Sequence, residues 1–405
     1  MKYFPILFLL LLTLPAAAQN NNTVVIGTID SLQSKILNEQ RKVWVHVPGG
    51  ATNSTKKYPV VYLLDGDAHF YSVVGLIHQL SSVNGNTICP EMIVVGIPNT
   101  DRTRDLTPSH VKGDPPYLDS NFTRTSGGGE QFTSFMEKEL IPYIDSKYPT
   151  APYRVLIGHS FGGLMVINTL IHHTNLFNAY LAIDPSMWWD NMKLLNETKQ
   201  ALATRTFPGR SLFIGIANTM HAGMDTAKVQ LDTTNMSRHI RSILELNKHL
   251  ALNKKNQLRY MGRYYNDDDH GSVPLIAEYD ALRFFFDFYR LKLTVDEHMN
   301  PSLQLFDKIE KHYENLSRHF GYKVKLPAEM AAGMAHWATE NKHYAAAERL
   351  LKLNMDNYPE SNLSYEWMGI YYERRGDKAK ALEYYKKAYS IKETPDVKEK
   401  LDKLK

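Results

Sequence analysis

Apolar positions follow two different periods along this chain. "TVVIGTIDSLQ" and "RKVWVHVPG" alternate apolar with polar residues, a pattern that predicts strands covered on one face. They read as antiparallel edge strands. Five later runs are continuous rather than alternating: Pro59–Gly66, Met92–Thr100, Tyr153–Ser160, Ala179–Ser186 and Ser211–Asn218. Continuous runs suit strands covered on both faces. "LRYMGRYYN" (Leu258–Asn266) closes the series. Between the runs, helical spacing predicts helices over Phe70–Leu80, Glu130–Lys147, Leu164–His172, Met192–Ala203, Met236–Leu250 and Pro274–Leu291. Alternation of this kind implies an α/β fold with a doubly wound, mostly parallel sheet. Ligands bind at the carboxyl ends of such strands. Asp65, Asn99, Ser160, Asp184 and Asn218 are therefore expected along one edge.

The pattern changes after about residue 298. "LQLFDKIEKHYENLSRHFGY" predicts a connecting helix over 299–325, and from Leu326 the periodicity is helical only. Ala347 and Ala381 occupy equivalent places in two similar segments, 34 residues apart. Gly369, Tyr372, Gly376, Ala381, Tyr385, Ala388 and Pro395 fit one helix–turn–helix unit, and Ala335 and Pro359 fit a weaker one before it. This region resembles the tetratricopeptide family, whose repeat is 34 residues long. Two such units either pack against the preceding domain or bind a protein partner. The expected organisation is a signal at 1–18, an α/β domain over 19–298, the connecting helix, and a small all-α region over 326–405.

Composition narrows the class. A chain of 405 residues with 43% hydrophobic content can bury a large core, and its net charge of +4 is too balanced to suggest nucleic acid. Lys2 precedes a short apolar run ending in Ala16, Ala17 and Ala18, which describes a secretory signal cut after Ala18. The run is shorter than the ~20 apolar residues of a spanning helix, so no stable membrane anchor is expected. Export to the periplasm or medium follows. Cys89 is the single cysteine, which excludes an intrachain disulfide and any cysteine-based metal site. No cofactor and no metal are expected.

Candidate chemistry centres on "YRVLIGHSFGGLMVINTLI". Gly158–Gly162 matches the G-x-S-x-G elbow, with a buried strand before it and a helix starting within it. Glycines relieve crowding around a serine held in a strained conformation. The helix N-terminus supplies N–H groups and positive potential for an oxyanion. Ser160 is thus the candidate nucleophile, and a nucleophilic serine needs a base.

In this arrangement the histidine follows the last strand. His270, in "NDDDHGSVP", occupies that place. His172, His173, His239 and His249 fall on helices, and Asp267, Asp268 and Asp269 read as turn residues. Two carboxylates compete for the third role. Asp225 lies in the loop after Ser211–Asn218, the usual location, though several residues late. Asp184 ends the preceding strand in "AIDPSMWWD". Asp225 is the expected acid and Asp184 the alternative. A serine–histidine pair without a carboxylate remains a third arrangement. An oxyanion hole needs two donors, expected from the N–H of Phe161 and that of Gly66 or Asp67, with Asp65 holding the loop. Trp188 and Trp189 could wall an acyl or aryl pocket. The segments Pro98–His110 and "SGGGE" read as mobile rims, where Arg102 or Arg104 could meet an anionic substrate.

The stretches "YLLDGD", "NTDRTRDLTP", "GHSFGG", "DPSMWW" and "DDDHGSVPLIAEYDALRF" together resemble the Putative esterase family of the α/β-hydrolases. That family includes enterochelin esterases, S-formylglutathione hydrolases and feruloyl esterases. The resemblance covers about residues 24–295 and implies Ser160 as nucleophile and His270 as base. Its members often carry an acid close behind the strand that here ends at Asn218, where this chain has Thr219 and Met220. The siderophore-esterase branch is nearest, through "PSMWW" and "HGSVP". The expected function is an exported serine hydrolase acting on a small-molecule carboxylic ester. The competing expectation is an idle hydrolase scaffold that binds proteins through its helical repeats, and a third is a peptidase using the same triad.

Overall fold

The computed structural model describes residues 22–50, 56–112 and 120–404; the expected signal at 1–18 lies outside them. Eight strands, β1 (Thr28–Ser34), β2 (Glu39–His46), β3 (Tyr58–Leu64), β4 (Ile93–Ile97), β5 (Thr150–His159), β6 (Ala179–Ile183), β7 (Ser211–Ala217) and β8 (Arg259–Tyr265), form one sheet. Their order is β1-β2-β4-β3-β5-β6-β7-β8. β1 pairs antiparallel with β2, and β2 with β4, while every other neighbour is parallel. The two alternating segments are therefore the antiparallel edge. The continuous runs are the buried parallel core, and β3, β4, β6 and β7 are buried along their whole length.

Successive strand residues point to opposite faces, and each face carries its own apolar layer. One side packs Val60, Tyr62 and Leu156 under α2 (residues 129–147), α3 (Phe161–His172), α4 (Trp189–Thr204) and α5 (Arg238–Leu252). The other packs Val61, Leu63 and Val155 under α1 (Gly66–Ser81) and α6 (Val273–Phe285). Two helices begin one turn earlier than periodicity predicts, α1 at Gly66 rather than Phe70 and α3 at Phe161 rather than Leu164. Gly66, Asp67, Gly162 and Gly163 contribute no apolar spacing, so this first turn carries no hydrophobic signal.

Helix α7 (Leu303–Phe320) belongs to two cores. Leu305, Phe306 and Ile309 pack with the helices that follow, while Leu316 and Phe320 pack against the sheet's second layer. Phe320 lies among Tyr153, Phe286, Phe288 and Tyr289 with ring centroids 5.3–6.2 Å apart. Beyond it, α8 (Ala328–Glu340) pairs with α9 (Tyr344–Asn357) and α10 (Asn362–Arg374) with α11 (Lys378–Ile391), followed by α12 (Pro395–Leu404). This all-helical region fits a tetratricopeptide-like arrangement. Ala335, Ala347, Ala381, Tyr385 and Ala388 are buried in its core, and a Cβ on Gly369 would fall 2.5 Å from the Tyr385 ring. Among the described residues, no helix is long and apolar enough to cross a membrane.

Two expectations follow from this packing. Phe320→Ala should lower unfolding free energy by about 3 kcal/mol, the range for emptying a buried phenylalanine site. Urea denaturation of the full chain measures it, and an effect below ~1 kcal/mol would show that α7 does not hold the two cores together. Glu278 on α6 is buried against Ser72 of α1, whose Oγ lies 3.0 Å from Oε2, and burial pushes its carboxyl up to about 8 against that hydrogen bond. The folded chain thus keeps a proton that the unfolded chain has lost from its ordinary value of 4.5 upward. Stability from this group is full below that value and is lost as pH rises towards 8. Glu278→Gln cannot ionise, so its melting temperature should fall less than the wild type's between pH 5 and pH 9. Equal falls in both proteins would contradict the assignment.

Candidate active site

Ser160 links β5 to α3 at φ 59° and ψ −114°, outside the ordinary left-handed basin. A non-glycine residue held there costs ~1–3 kcal/mol, and the surroundings must enforce it. Its N–H donates to the Ile183 carbonyl at 2.9 Å, and its carbonyl accepts from Ser186 N–H at 3.1 Å and from Leu164 N–H at 2.9 Å. The glycines are required by close approach. A Cβ on Gly158 would lie 2.4 Å from the Gly162 backbone, and one on Gly163 3.0 Å from the Ile183 carbonyl. Ser160 Oγ is 3.3 Å from Ser186 Oγ.

The loop after β8 is a tight, acid-capped turn. Asp269 accepts from Gly271 and Ser272 N–H, Asp268 accepts from Ser272 Oγ, and the Asp268 carbonyl accepts from Asn218 N–H. The turn aims His270 at the end of β6, where its Nδ1 is 2.6 Å from Asp184 Oδ2. Asp184 is fully buried, with φ 41°. Its Oδ1 accepts from Ala217 N–H at 3.1 Å. Burial alone would push its carboxyl up. Hydrogen bonds from His239 and His270, with their charge, instead hold it well below the usual carboxylate range.

The structure corrects the expectation that Asp225 holds His270. Asp225 is exposed, and its Oδ1 accepts from the N–H groups of Ala227 and Lys228 in its own turn. The carboxylate beside the imidazole is Asp184. A histidine passed over in the sequence is also there. His239, in the first turn of α5, places Nε2 2.7 Å from the same Asp184 oxygen, with its ring 5.3 Å from that of His270. No local motif marks it, because α5 meets Asp184, 55 residues away, through its packing on β7 and β8. His159, beside Ser160, has its ring centroid 4.4 Å from that of His270, with the rings tilted by 42°. Burial and the neighbouring His270 and His69 push it down to about 3, so it stays neutral.

Phe161 opens α3, and Gly66 and Asp67 open α1. First-turn N–H groups of a helix have no intrahelical acceptor, and the two helix starts are close neighbours. A Cβ on Gly162 would lie 3.2 Å from Asp65 Oδ2. Asp65, at φ 51°, is held by both Arg102 nitrogens at 2.7 and 2.9 Å and by Asn99 at 2.6 Å. Its charge is therefore paired with Arg102 beside the two helix starts. Trp188 and Trp189 are buried around Phe161, with ring centroids 6.3 and 5.1 Å away, and Trp189 Nε1 donates to the Ser109 carbonyl. They brace the first turn of α3 more than they line an open wall.

Arg104 is not poised for an anionic substrate. Its guanidinium is engaged by Glu39 at 2.7 and 3.0 Å and by Asp105 at 2.7 Å, and this pairing holds the Glu39 carboxyl down to about 2. Buried Arg41 joins the same network at Asp105 and Thr100. The expected mobile rim is accordingly pinned. Gly127, Gly128 and Gly129 N–H groups bond to Thr107 Oγ1, the Arg104 carbonyl and the Thr107 carbonyl.

A family model described as Putative esterase matches residues 34–249, more than half of the 405 residues. The Siderophore enterobactin esterase of Emericella nidulans is 31% identical over 171 residues, covering 40% of this chain and 55% of that protein. The chain thus spans about half the length of that relative. The Ferri-bacillibactin esterase BesA of Bacillus subtilis is 28% identical over 236 residues, covering 56% of this chain and 78% of that one. Among solved structures, an IroE-like serine hydrolase from Shewanella oneidensis superposes with a TM-score of 0.65 at 30% identity, over 82% of this chain and 99% of the other.

Proposed function

The chain belongs to the Putative esterase family of the α/β-hydrolases, and from that premise we propose that it is a serine hydrolase cleaving a carboxylic ester of the siderophore type. The observation that carries the proposal is a strained serine on the elbow after β5 beside a strand, β6, whose end holds a buried carboxylate bound to His270. Ser160 is the nucleophile, His270 the base and Asp184 the acid. With Nδ1 donating to Asp184, His270 takes the Ser160 hydroxyl proton at Nε2 as Oγ attacks the ester carbonyl. The carbonyl oxygen becomes an oxyanion that accepts from Phe161 N–H and from Gly66 or Asp67 N–H. His270 then returns the proton to the leaving alkoxide, which leaves an acyl group on Ser160. Water, deprotonated by His270, attacks the acyl carbonyl, and the proton passes from His270 to Ser160 Oγ as the acyl–Oγ bond breaks and the carboxylic acid leaves.

The names of the relatives support a siderophore-type ester as substrate. The basic, apolar, A-x-A-ended start supports export. The proposed organisation keeps the hydrolase unit within 19–298 and assigns 299–325 to the connecting helix and 326–405 to tetratricopeptide-like helices. The idle-scaffold alternative has no counterpart in the site, where strain and a buried charge are both maintained around Ser160.

Ser160→Ala should lower ester turnover by ~10³-fold or more, with any residual rate from the oxyanion donors. It should also abolish labelling by a fluorophosphonate. A variant that keeps a few per cent of wild-type turnover would exclude Ser160 as nucleophile. Asp184→Asn should lower kcat by up to ~10⁴-fold with the substrate's KM little changed, while Asp225→Asn stays within about twofold of wild type. Circular dichroism confirms folding in both. A severe loss confined to Asp225→Asn would overturn the acid assignment.

A further inference from the structure

The triad of the preceding section leaves one group at the site without a role. His239 donates to the same carboxylate oxygen as His270, from helix α5 instead of the turn after β8 and at a comparable distance, 2.7 against 2.6 Å. Asp184 therefore has three donors: Ala217 N–H on Oδ1, and two imidazoles on Oδ2. A carboxylate oxygen has two lone pairs in its plane, so both N–H groups can be accommodated without displacement. Rotation of the carboxylate would break all three bonds inside a fully buried site.

We propose that His239 is a positioning residue: a second imidazole on the catalytic acid that fixes the orientation of Asp184 and moderates its pull on His270. The inference rests on the triad reading above. His239 is in the first turn of α5, and its Nε2 donates to Asp184 from there. The groups facing it are Asp184 from the end of β6 and His270 from the loop after β8, with His159 beyond His270. On its own helix Arg238 is directed to Asn191. The consequence of this place concerns charge. Negative charge on Oδ2 shared with His239 stabilises the His270 imidazolium less than the same charge directed at His270 alone. Removing His239 should therefore make His270 more basic and also less well placed.

The test is a set of three substitutions in the full chain, assayed with a p-nitrophenyl ester beside Ser160→Ala. Glutamine reproduces an N–H at about the reach of Nε2, methionine fills similar volume without a donor, and alanine removes both. His239→Met and His239→Ala should lower kcat by about 10- to 100-fold, the scale of a small misplacement, with KM within about twofold. The acid limb of kcat/KM should move to higher pH. His239→Gln should recover most of the rate and restore the limb. If alanine fails to fold, the methionine and glutamine pair carries the comparison. Wild-type kcat and pH profile in His239→Met overturn the proposal, as does equal impairment of the glutamine and methionine variants, which means packing alone. Activity retained in Ser160→Ala refutes the triad reading itself, whatever the His239 variants do.

Discussion

A charged carboxylate with no exposure to water is stable only where hydrogen-bond donors converge on it, and Asp184 imposes that requirement on four parts of the chain. β6 places it at the sheet's carboxyl edge, and β7 supplies Ala217 N–H. The turn after β8 supplies His270, and α5 supplies His239. None of these contacts is local in sequence. The bonds from Asn218 to the 266–268 segment keep β7 and the His270 turn in step. Once the carboxylate is buried, the elements that meet it are fixed relative to one another.

The same edge shows a division between strain and support. Ser160 and Asp184 both hold backbone conformations that side chains disfavour, and their neighbours enforce them through main-chain bonds, Ser160 N–H to Ile183 of β6 and Asp184 N–H to Gly215 of β7. The rim is held by charge. Arg102 ties Asp65 across the mouth of α1, and Arg104 and Arg41 join Glu39 and Asp105. Partly buried pairs of this kind are screened less than exposed ones, which suits a frame more than a moving lid.

What could be read from the sequence follows from how locally each feature is encoded. Continuous apolar runs and helical spacing report burial residue by residue, so the strands and layers of the sheet were legible. Ser160 was legible because the glycines that the elbow needs lie within five residues of it, and the loop place of His270 follows from chain order. The acid was not. Choosing Asp225 relied on its loop, but Asp225 meets the N–H groups of its own turn before it could meet a histidine. His239 left no trace, since a histidine in a helix first turn looks the same whether it faces solvent or a buried carboxylate. Arg104 was misread for a related reason: its carboxylate partner Glu39 is 65 residues away.

A carboxylate bound to His270 from the end of β6, instead of from the loop after β7, changes what determines the site's geometry. β5 and β6 are neighbours, paired from Val155–Ala179 to His159–Ile183, so Ser160 and Asp184 emerge from adjacent, hydrogen-bonded strands. An acid on the 219–236 segment would depend on a long loop whose Met224, Leu231 and Met236 are exposed. With Asp184 in the sheet, that segment is relieved of catalytic placement, and α5 can approach closely enough to set His239 against the carboxylate. Both imidazoles, His239 and His270, converge on the carboxylate at the end of β6, not on the loop behind Asn218.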